Sequence, residues 1–213
     1  MKLKYLGIFG IISLLSYTAM VIFSPLAYPG YDWLSMAVSD LSAVGAPSAA
    51  LADRLNALFG PCAVVSVMAV FVGAAGCRSK LLRTGIGFFA AMEWITVVGY
   101  KMFPWVQNEA ASSFQNMMHI LVTILVVVFS IVSLVLIAIG SRKEQLPSIG
   151  NWVIGCLAAM MLGALGTGIL PKSVFGLFER FSTFSAVVFN AVLGVYLLKG
   201  ELSTDGQSER SDK

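Results

Sequence analysis

Polar side chains that suit acid–base chemistry stand inside or beside the apolar segments of this chain. The candidates for catalysis are Ser39, Asp40, Glu93 and His119. Histidine titrates nearest to neutral pH and can take a proton from a serine hydroxyl, and a carboxylate can orient the imidazole ring. The sequence therefore predicts Ser39 as the nucleophile, His119 as the general base, and Asp40 or Glu93 as the orienting group.

Further polar residues suit a ligand site, and these are Tyr100, Asn116, Glu179 and Arg180. Tyr100 follows Glu93 on one helical face, and Asn116 precedes His119 on the face of another helix. A guanidinium such as that of Arg180 can hold an anionic headgroup. Since polar groups cost free energy in lipid, we expect these residues to converge on one cavity.

Each of these residues also has an interpretation without chemistry. His119 can be a hydrogen-bonded core histidine, and Glu93 can be a protonated carboxyl bonded to a nearby carbonyl. Glu179 and Arg180 can form an interfacial charge pair whose long side chains extend to water. Asp40 can cap a helix that begins in the loop. The chain carries no nucleophile elbow or other catalytic signature, so its sequence does not decide whether it is an enzyme.

The composition is that of an integral membrane protein. The chain has 213 residues, of which 58% are hydrophobic and 12% are charged, whereas soluble domains carry about 25% charged residues. One His and three scattered Cys residues argue against a zinc centre, and neither a metal nor another cofactor is predicted. The slight net positive charge is no argument for a nucleic-acid partner; the expected partners are membrane lipids.

Six segments are long and apolar enough to cross a bilayer, which takes about 20 residues. They are residues 4–25, 53–76, 84–103, 114–140, 150–170 and 176–199. Of the 14 basic residues, only Arg54, Lys101, Lys172 and Arg180 fall on the side opposite the termini, so the positive-inside rule predicts that both termini are cytoplasmic. The sequence predicts an all-α, six-helix, multi-pass bundle in the inner (plasma) membrane over residues 1–200. A disordered cytoplasmic tail is expected at 201–213.

The first extracytoplasmic loop, residues 28–47, is unusually rich in functional groups. It is long for a connector between two helices, aromatic, acidic and free of Lys and Arg. Its Ser39-Asp40 pair can meet His119, Glu93 and Glu179 only if the loop folds back over the bundle. We therefore expect a lid over a polar cavity that faces outward.

The fifth spanning segment carries small or polar residues at four-residue intervals. These are Asn151, Gly155, Ala159, Gly163 and Thr167. Small residues at this spacing let helices approach closely in lipid. The stripe predicts helix packing and not a binding site.

The loop residues carry a family resemblance. Through Tyr28-Pro29-Gly30-Tyr31, Val38-Ser39-Asp40-Leu41-Ser42-Ala43 and Gly45-Ala46-Pro47, the chain resembles the small prokaryotic membrane proteins grouped as domain of unknown function 998. His119 fits the same pattern. The resemblance implies about six helices and no particular reaction. A fainter similarity, through Ser39-Asp40, Gly45, Pro47 and Phe59-Gly60, links the chain to eukaryotic autophagy-modulator and GPI-anchor-remodelling membrane proteins.

Three functions are compatible with these patterns. The first is a hydrolase or transferase that acts on a lipid or another amphiphile at the outer leaflet. The second is a non-enzymatic protein that binds or transports a small ligand, a lipid or a proton, with Glu93 in the proton path. The third is an assembly scaffold whose polar residues only fix helix packing. The sequence leaves the substrate and the oligomeric state open.

Overall fold

The protein is all-α, as predicted. The computed structural model describes residues 2–202, and within that range it contains helices, short 3-10 turns and no strand. The α-helices are α1 (Ile8–Phe23), α2 (Ala49–Leu55), α3 (Phe59–Gly73), α4 (Lys80–Met102), α5 (Phe114–Lys143), α6 (Pro147–Ile169) and α7 (Phe175–Leu198). Residues 203–213, most of the predicted tail, lie outside the described residues. Leu202 is fully buried in the main core, so the packed chain extends beyond the predicted boundary at 200.

The described chain has six helical segments that are long and apolar enough to cross a membrane. They are Leu3–Ala27, Ala49–Gly76, Lys80–Met102, Phe114–Lys143, Pro147–Ile169 and Lys172–Leu198. Their mean hydropathy runs from 1.4 to 3.3 over the most apolar window of each segment. The protein is therefore a multi-pass membrane protein with six spanning segments, as the sequence predicts.

The second spanning segment is interrupted where the sequence predicts one continuous helix. It consists of α2 and α3, and α2 ends at Leu55 while α3 begins at Phe59. Pro61 is the third residue of α3. Proline lacks an N–H and is tolerated in the first turn of a helix but not in its interior. A helix must therefore start close to Phe59, which leaves α2 as a separate short helix at the edge of the bundle.

The spanning helices pack as a ring in the order α1, α3, α4, α5, α6 and α7, and α7 closes the ring against α1 while also packing against α3. α7 is the most enclosed, because 61% of its most apolar window is buried, against 28–44% for the other spanning segments. Side chains on α7 can therefore meet residues from several other helices.

The bundle has two different ends. One end, called the loop end below, carries the first loop (residues 28–48) and the second loop (residues 103–113). The first loop is packed on the bundle, because its Val38 and Leu41 side chains are buried in an apolar cluster with Tyr17 and Met20 of α1. The opposite end, called the basic end, carries most of the Lys and Arg residues.

Candidate functional site

Arg180 of α7 fastens the first loop to the bundle. Its side chain is only 4% exposed. Nη1 donates to the carbonyl oxygens of Trp33, Met36 and Gly176 at 3.0, 3.2 and 2.6 Å, and Nη2 donates to the Tyr31 hydroxyl at 2.6 Å. A planar guanidinium can serve acceptors on several sides at once, which a lysine ammonium cannot match. Both terminal nitrogens are thus committed to holding the loop.

The Glu179 side chain holds the same loop by accepting a hydrogen bond from the backbone of the loop. Its Oε2 accepts from the Val38 N–H at 2.6 Å, and the Ser39 N–H lies close to this carboxylate. Glu179 and Arg180 therefore bond the loop from neighbouring positions of α7. Charge-assisted bonds of this kind are roughly twice as strong as neutral ones.

Gly176 allows the loop to approach α7 this closely. A Cβ atom at this position would lie 2.1 Å from the Met36 carbonyl oxygen, closer than any side chain permits. One residue further on, the Leu177 N–H donates to the Leu34 carbonyl at 3.1 Å. The loop thereby satisfies one of the N–H groups that the first turn of a helix leaves without an intrahelical partner.

The second loop is hydrogen-bonded to the first, and the two loops together form a roof over the loop end of the bundle. The Val44 N–H donates to the Trp105 carbonyl at 2.8 Å, and the Gln107 N–H donates to the Val44 carbonyl at 3.0 Å. The Gln107 side-chain amide also bonds to the Tyr28 hydroxyl. These contacts fix the position of the two loops relative to each other.

Asn116, which the sequence places in a ligand site, holds the second loop from below. It is fully buried. Its Oδ1 accepts from the Val106 N–H at 2.9 Å, and its Nδ2 donates to the carbonyls of Val106, Glu109 and Ala110 at 3.2–3.4 Å. The side-chain amide is therefore occupied by backbone groups.

His119 lies under the second loop in a fixed orientation. Its Nδ1 is 2.9 Å from the Phe103 carbonyl oxygen, and since a carbonyl can only accept, Nδ1 carries the proton. The ring packs against Tyr100 at 4.9 Å and Trp105 at 5.6 Å between centroids. Nε2 forms no hydrogen bond to any described residue, so in the neutral ring it keeps a free lone pair. The tautomer is thus set by a backbone carbonyl and not by Asp40 or Glu93.

Asp40 lies in the roof above this histidine. Its Oδ2 accepts from the Ala37 N–H at 2.8 Å. Burial raises the pKa of the Asp40 carboxyl above its ordinary value, and the Ala37 bond and the positive charges of Arg180 and His119 oppose the rise. Asp40 is therefore within electrostatic range of both of these residues.

Ser39 stands beside Asp40 at the start of a 3-10 turn, Ser39–Leu41. Its side chain is partly buried, and its hydroxyl forms no hydrogen bond to a described residue. The structure thus brings Ser39 next to Glu179, through its N–H, and next to Asp40 in the chain. It contains no hydrogen bond between Ser39 and His119.

Glu93 lies apart from the loop-end residues. It is 3% exposed, about 10 Å deeper along α4 than Tyr100 at the rise of a helix. Its Oε1 accepts from Asn190 Nδ2 at 2.8 Å, and the same amide nitrogen donates to the Ala63 carbonyl at 3.2 Å. Tyr100 instead pairs with Thr123 at 3.1 Å. The expected single cavity is thus divided into a loop-end site and a deeper Glu93–Asn190 pair.

Two loop aromatics that the sequence interpretation did not assign complete the loop-end site. The Tyr31 hydroxyl donates to the Ala37 carbonyl at 2.8 Å while it accepts from Arg180. Burial raises the pKa of Tyr31 to about 12, so it remains a hydroxyl at neutral pH. The Trp33 ring lies over the guanidinium of Arg180 at 4.2 Å. The sequence signals for these two residues are the aromatic richness of the loop and, for Tyr31, its place in the Tyr28-Pro29-Gly30-Tyr31 motif.

Among residues 2–202, no group of three or more His, Cys, Asp and Glu side chains is arranged to hold a metal ion. The loop-end site itself supplies the His119 imidazole with a free nitrogen, the carboxylates of Asp40 and Glu179, the Ser39 hydroxyl and the Arg180 guanidinium. This set can move a proton and stabilise a charge.

Comparison with known proteins gives one match. No curated protein and no solved structure matches the chain. The model of the family described as protein of unknown function (DUF998) matches residues 11–196, which is most of the chain. This match confirms the family resemblance carried by the loop residues, while the fainter eukaryotic similarity stays a prediction. The chain belongs to the DUF998 family.

Proposed function

We propose that this protein is a membrane-embedded hydrolase or transferase that acts on a lipid or another amphiphile at the outer leaflet of the plasma membrane. His119 is the general base, and Ser39 is the nucleophile. The positive-inside rule supports the outer location, because only a few Lys and Arg residues lie at the loop end. This orientation would put the loop-end site in the outer headgroup layer.

The observation that carries the proposal is the state of the His119 ring. Phe103 and two aromatic neighbours hold the ring in one orientation, and Nε2 is left with a free lone pair in a partly buried site. A purely structural histidine commonly satisfies both of its nitrogens, whereas a general base needs one nitrogen fixed and the other available.

The first proposed step moves one proton, forms one bond and breaks one bond. Nε2 accepts the proton of the Ser39 hydroxyl while the oxygen attacks an electrophilic carbon or phosphorus of the amphiphile. The bond from that carbon or phosphorus to the leaving oxygen breaks, and the leaving oxygen takes the proton from the imidazolium. In a second step Nε2 takes a proton from water, or from the hydroxyl of an acceptor molecule, while the oxygen of that molecule displaces the Ser39 oxygen, which takes the proton back from the imidazolium. Asp40 stabilises the transient positive charge across the site. The step requires Ser39 to reach hydrogen-bond distance of Nε2 when substrate is bound, as catalytic contacts often tighten only in the complex.

Arg180 and Glu93 have other roles in this proposal than the sequence suggested. Arg180 uses Nη1 and Nη2 to hold the roof, and so acts as a positioning residue. Glu93 is bonded to Asn190 and supports the interior of the bundle.

A long-chain fluorophosphonate tests this function on the full-length protein in detergent. The reagent phosphonylates an activated serine with loss of fluoride. We expect labelling of Ser39 in the wild type and none in Ser39→Ala. His119→Asn keeps an N–H for Phe103 but removes the base, so its labelling rate should fall by ~10²-fold or more. The matched control is Ser42→Ala, which removes a hydroxyl from the same loop.

Equal labelling of the wild type and Ser39→Ala would exclude Ser39 as the nucleophile. A His119→Asn variant that is labelled at the wild-type rate would exclude His119 as the base. Thermal unfolding of each variant keeps the test interpretable: a variant that loses stability but keeps its labelling supports a structural role.

A further inference from the structure

A cleft about 530 Å³ in volume lies between α3 and α4 at the basic end of the bundle, and it is called the α3–α4 cleft below. Three apolar and three polar residues line it, and these are Phe71, Val72, Ala75, Lys80, Arg83 and Thr84. Its volume lies within the range of pockets that bind small molecules, about 300–1,000 Å³.

The lining of the α3–α4 cleft changes from cationic to apolar with depth. Lys80 is the first residue of α4, and Arg83 lies ~5 Å deeper at 1.5 Å per residue. A Cβ at Gly87 would lie 3.4 Å from the Phe71 ring, so Phe71 is level with Gly87, about one further turn into the bundle. Phe71 and Val72 are 43% and 54% exposed. The cleft therefore presents two cations at the end of the bundle and apolar surface beneath them.

Both cations have donors to spare. Lys80 is exposed and forms no hydrogen bond or ion pair with a described residue. Arg83 is partly exposed, and its Nη1 donates to the Ala75 carbonyl at a long 3.4 Å. Its Nε and Nη2 bond to no described residue. An anion in the cleft can therefore accept hydrogen bonds from both side chains, and such charge-assisted bonds are strong.

Acidic side chains do not neutralise these two cations. Among residues 2–202, no Asp or Glu lines the cleft. Glu144, at the end of α5, accepts from the backbone N–H groups of Arg78 and Ser79 at 2.8 Å each, and it forms no ion pair with Lys80 or Arg83. The positive charge of the cleft is thus available to a ligand.

The larger groove between α6 and α7, about 710 Å³ in volume, lacks such donors. Its wall is mainly apolar, and the terminal nitrogens of the cation in it, Arg180, hold the first loop. Nothing in that groove selects a lipid by its charge. The α3–α4 cleft differs because its cations are accessible.

The same groove corrects the interpretation of the small-residue stripe on α6. Gly163 packs as predicted, because a Cβ there would meet Ser182 of α7 at 2.3 Å. A Cβ at Gly155, which lines the groove, would meet no atom within 4 Å. The stripe therefore packs the helices together at Gly163 and leaves space at Gly155.

We propose that the α3–α4 cleft binds an anionic phospholipid of the leaflet at the basic end. Lys80 and Arg83 hold the phosphate, and Phe71 and Val72 contact the first part of an acyl chain. The order of these contacts matches the molecule, whose charged headgroup lies at the membrane surface and whose hydrocarbon lies deeper. Basic pockets between spanning helices at the cytoplasmic side are typical sites for anionic headgroups, and the positive-inside rule predicts that this end is cytoplasmic. The inference goes beyond the proposed reaction, which takes place at the opposite end of the bundle.

Net charge separates this lipid from the lipids that surround any membrane protein. Phosphatidylcholine and phosphatidylglycerol both carry a phosphate, but the choline ammonium would be repelled by Lys80 and Arg83. A free phosphate ion would satisfy the two cations and leave the exposed surface of Phe71 and Val72 without a partner. An anionic phospholipid matches both parts of the cleft.

Photocrosslinking tests this site on the full-length protein in phosphatidylcholine nanodiscs, with a phosphatidylglycerol probe that carries a diazirine near the start of one acyl chain. Lys80→Gln combined with Arg83→Gln removes both cations of the cleft. The matched control combines Arg142→Gln with Lys143→Gln, which removes two exposed cations from the same end that do not line the cleft. We expect crosslinks at residues 71–75 and in the first two turns of α4. They should fall about fivefold or more in the first double variant and stay at the wild-type level in the control.

The single variant Lys80→Gln keeps the test valid if the double variant does not fold, because the Lys80 side chain has no described partner to lose. We expect its crosslinking to fall about twofold or more. Unchanged crosslinking in a folded Lys80→Gln variant would remove Lys80 from the site and overturn the proposal.

The headgroup is tested by an otherwise identical phosphatidylcholine probe and by competition with inorganic phosphate, compared with chloride at the same ionic strength. Weaker crosslinking by the phosphatidylcholine probe and no competition by phosphate support the proposal. Equal crosslinking by both probes, or an equal loss in both double variants, would mean annular lipid only and overturn it. Competition by phosphate would identify a site for a free anion, and crosslinks between two copies of the chain would identify an interface; either would overturn the proposal. None of these outcomes depends on Ser39 or His119, so the two proposals can fail separately.

Discussion

At the scale of single residues, two carboxylates in the first loop have opposite surroundings. Asp32 is exposed, and its pKa is lowered chiefly by the hydroxyl of Ser35 and the N–H of Leu34. Asp40 is partly buried, and burial raises its pKa. A lowered pKa means that the fold favours the ionised form, whereas a raised pKa means that the fold favours the protonated form.

The opposite pKa shifts of Asp32 and Asp40 predict opposite changes in stability when each aspartate is replaced by asparagine. Because the folded-state pKa of Asp40 is raised, its ionisation reduces stability as pH rises through that pKa, and the penalty is absent below the unfolded pKa of ~3.9. Asp40→Asn keeps an oxygen for Ala37 and removes the charge. We expect thermal unfolding in detergent to occur at an equal or higher temperature than in the wild type at pH ~7, with the difference gone at pH ~4.

Asp32→Asn is the comparison variant. It removes a charge that the fold favours, so any change in its unfolding temperature at neutral pH should be a decrease. If Asp40→Asn unfolded at a lower temperature at neutral pH, attraction to Arg180 and His119 would outweigh burial. A variant that keeps its stability but loses fluorophosphonate labelling would assign Asp40 to the reaction.

The sequence identified the side chains of the loop-end site better than their partners. Asp40, His119, Glu179 and Arg180 stand out because ionisable residues are rare in an apolar chain. Their main partners are the backbone of Phe103, Val38 and Met36. Every residue carries a carbonyl and nearly every residue an N–H, so no sequence pattern marks the ones that will be used. The roles of these side chains therefore had to come from the structure.

At the scale of elements, the first loop and α7 form one unit. Glu179 and Arg180 bond the backbone of the loop, Gly176 lets it approach, and Val38 and Leu41 bury apolar side chains beneath it. These hydrogen bonds are partly buried, and opening the loop would leave some of their polar groups unsatisfied. The loop is thus a fixed roof in the described structure.

Arg180→Lys is expected to loosen this roof. A lysine ammonium cannot serve the Trp33 and Met36 carbonyls and the Tyr31 hydroxyl together, and each buried group left unpaired costs about 1–3 kcal/mol. Hydrogen exchange should therefore become about tenfold faster or more at the amides of residues 31–41 and remain unchanged in the middle of α5. The matched control is Lys172→Gln, which removes an exposed cation near the start of α7. Unchanged exchange in Arg180→Lys would mean that Val38 and Leu41 hold the loop by packing alone.

The elements themselves were largely predictable, because a run of about 20 apolar residues has few alternatives to a spanning helix. Hydropathy does not locate a break within such a run, so the separation of α2 from α3 was missed, although Pro61 marks it. The stripe on α6 shows a second limit. Small residues permit close packing, but only the path of the facing helix decides whether Gly163 is packed and Gly155 is open.

At the scale of the whole molecule, α7 connects the polar groups at different depths. It carries Glu179 and Arg180 at the loop end, and it carries Asn190, which meets Glu93, deeper in the bundle. The polar side chains at the loop end form hydrogen bonds to both loops, whereas the connectors at the basic end carry most of the Lys and Arg residues. The positive-inside rule predicts that the basic end faces the cytoplasm. The proposed reaction then belongs to the outer leaflet.

A pair of matched cysteine variants tests that orientation. Ala111→Cys lies in the second loop and Ala75→Cys at the basic end, and both positions are exposed. The native residues Cys62, Cys77 and Cys156 are buried, so the wild type gives the background. We expect a membrane-impermeant maleimide to label Ala111→Cys in intact cells and to label Ala75→Cys only after permeabilisation. The reverse pattern would place the roof in the cytoplasm, and the substrate would then have to come from the inner leaflet.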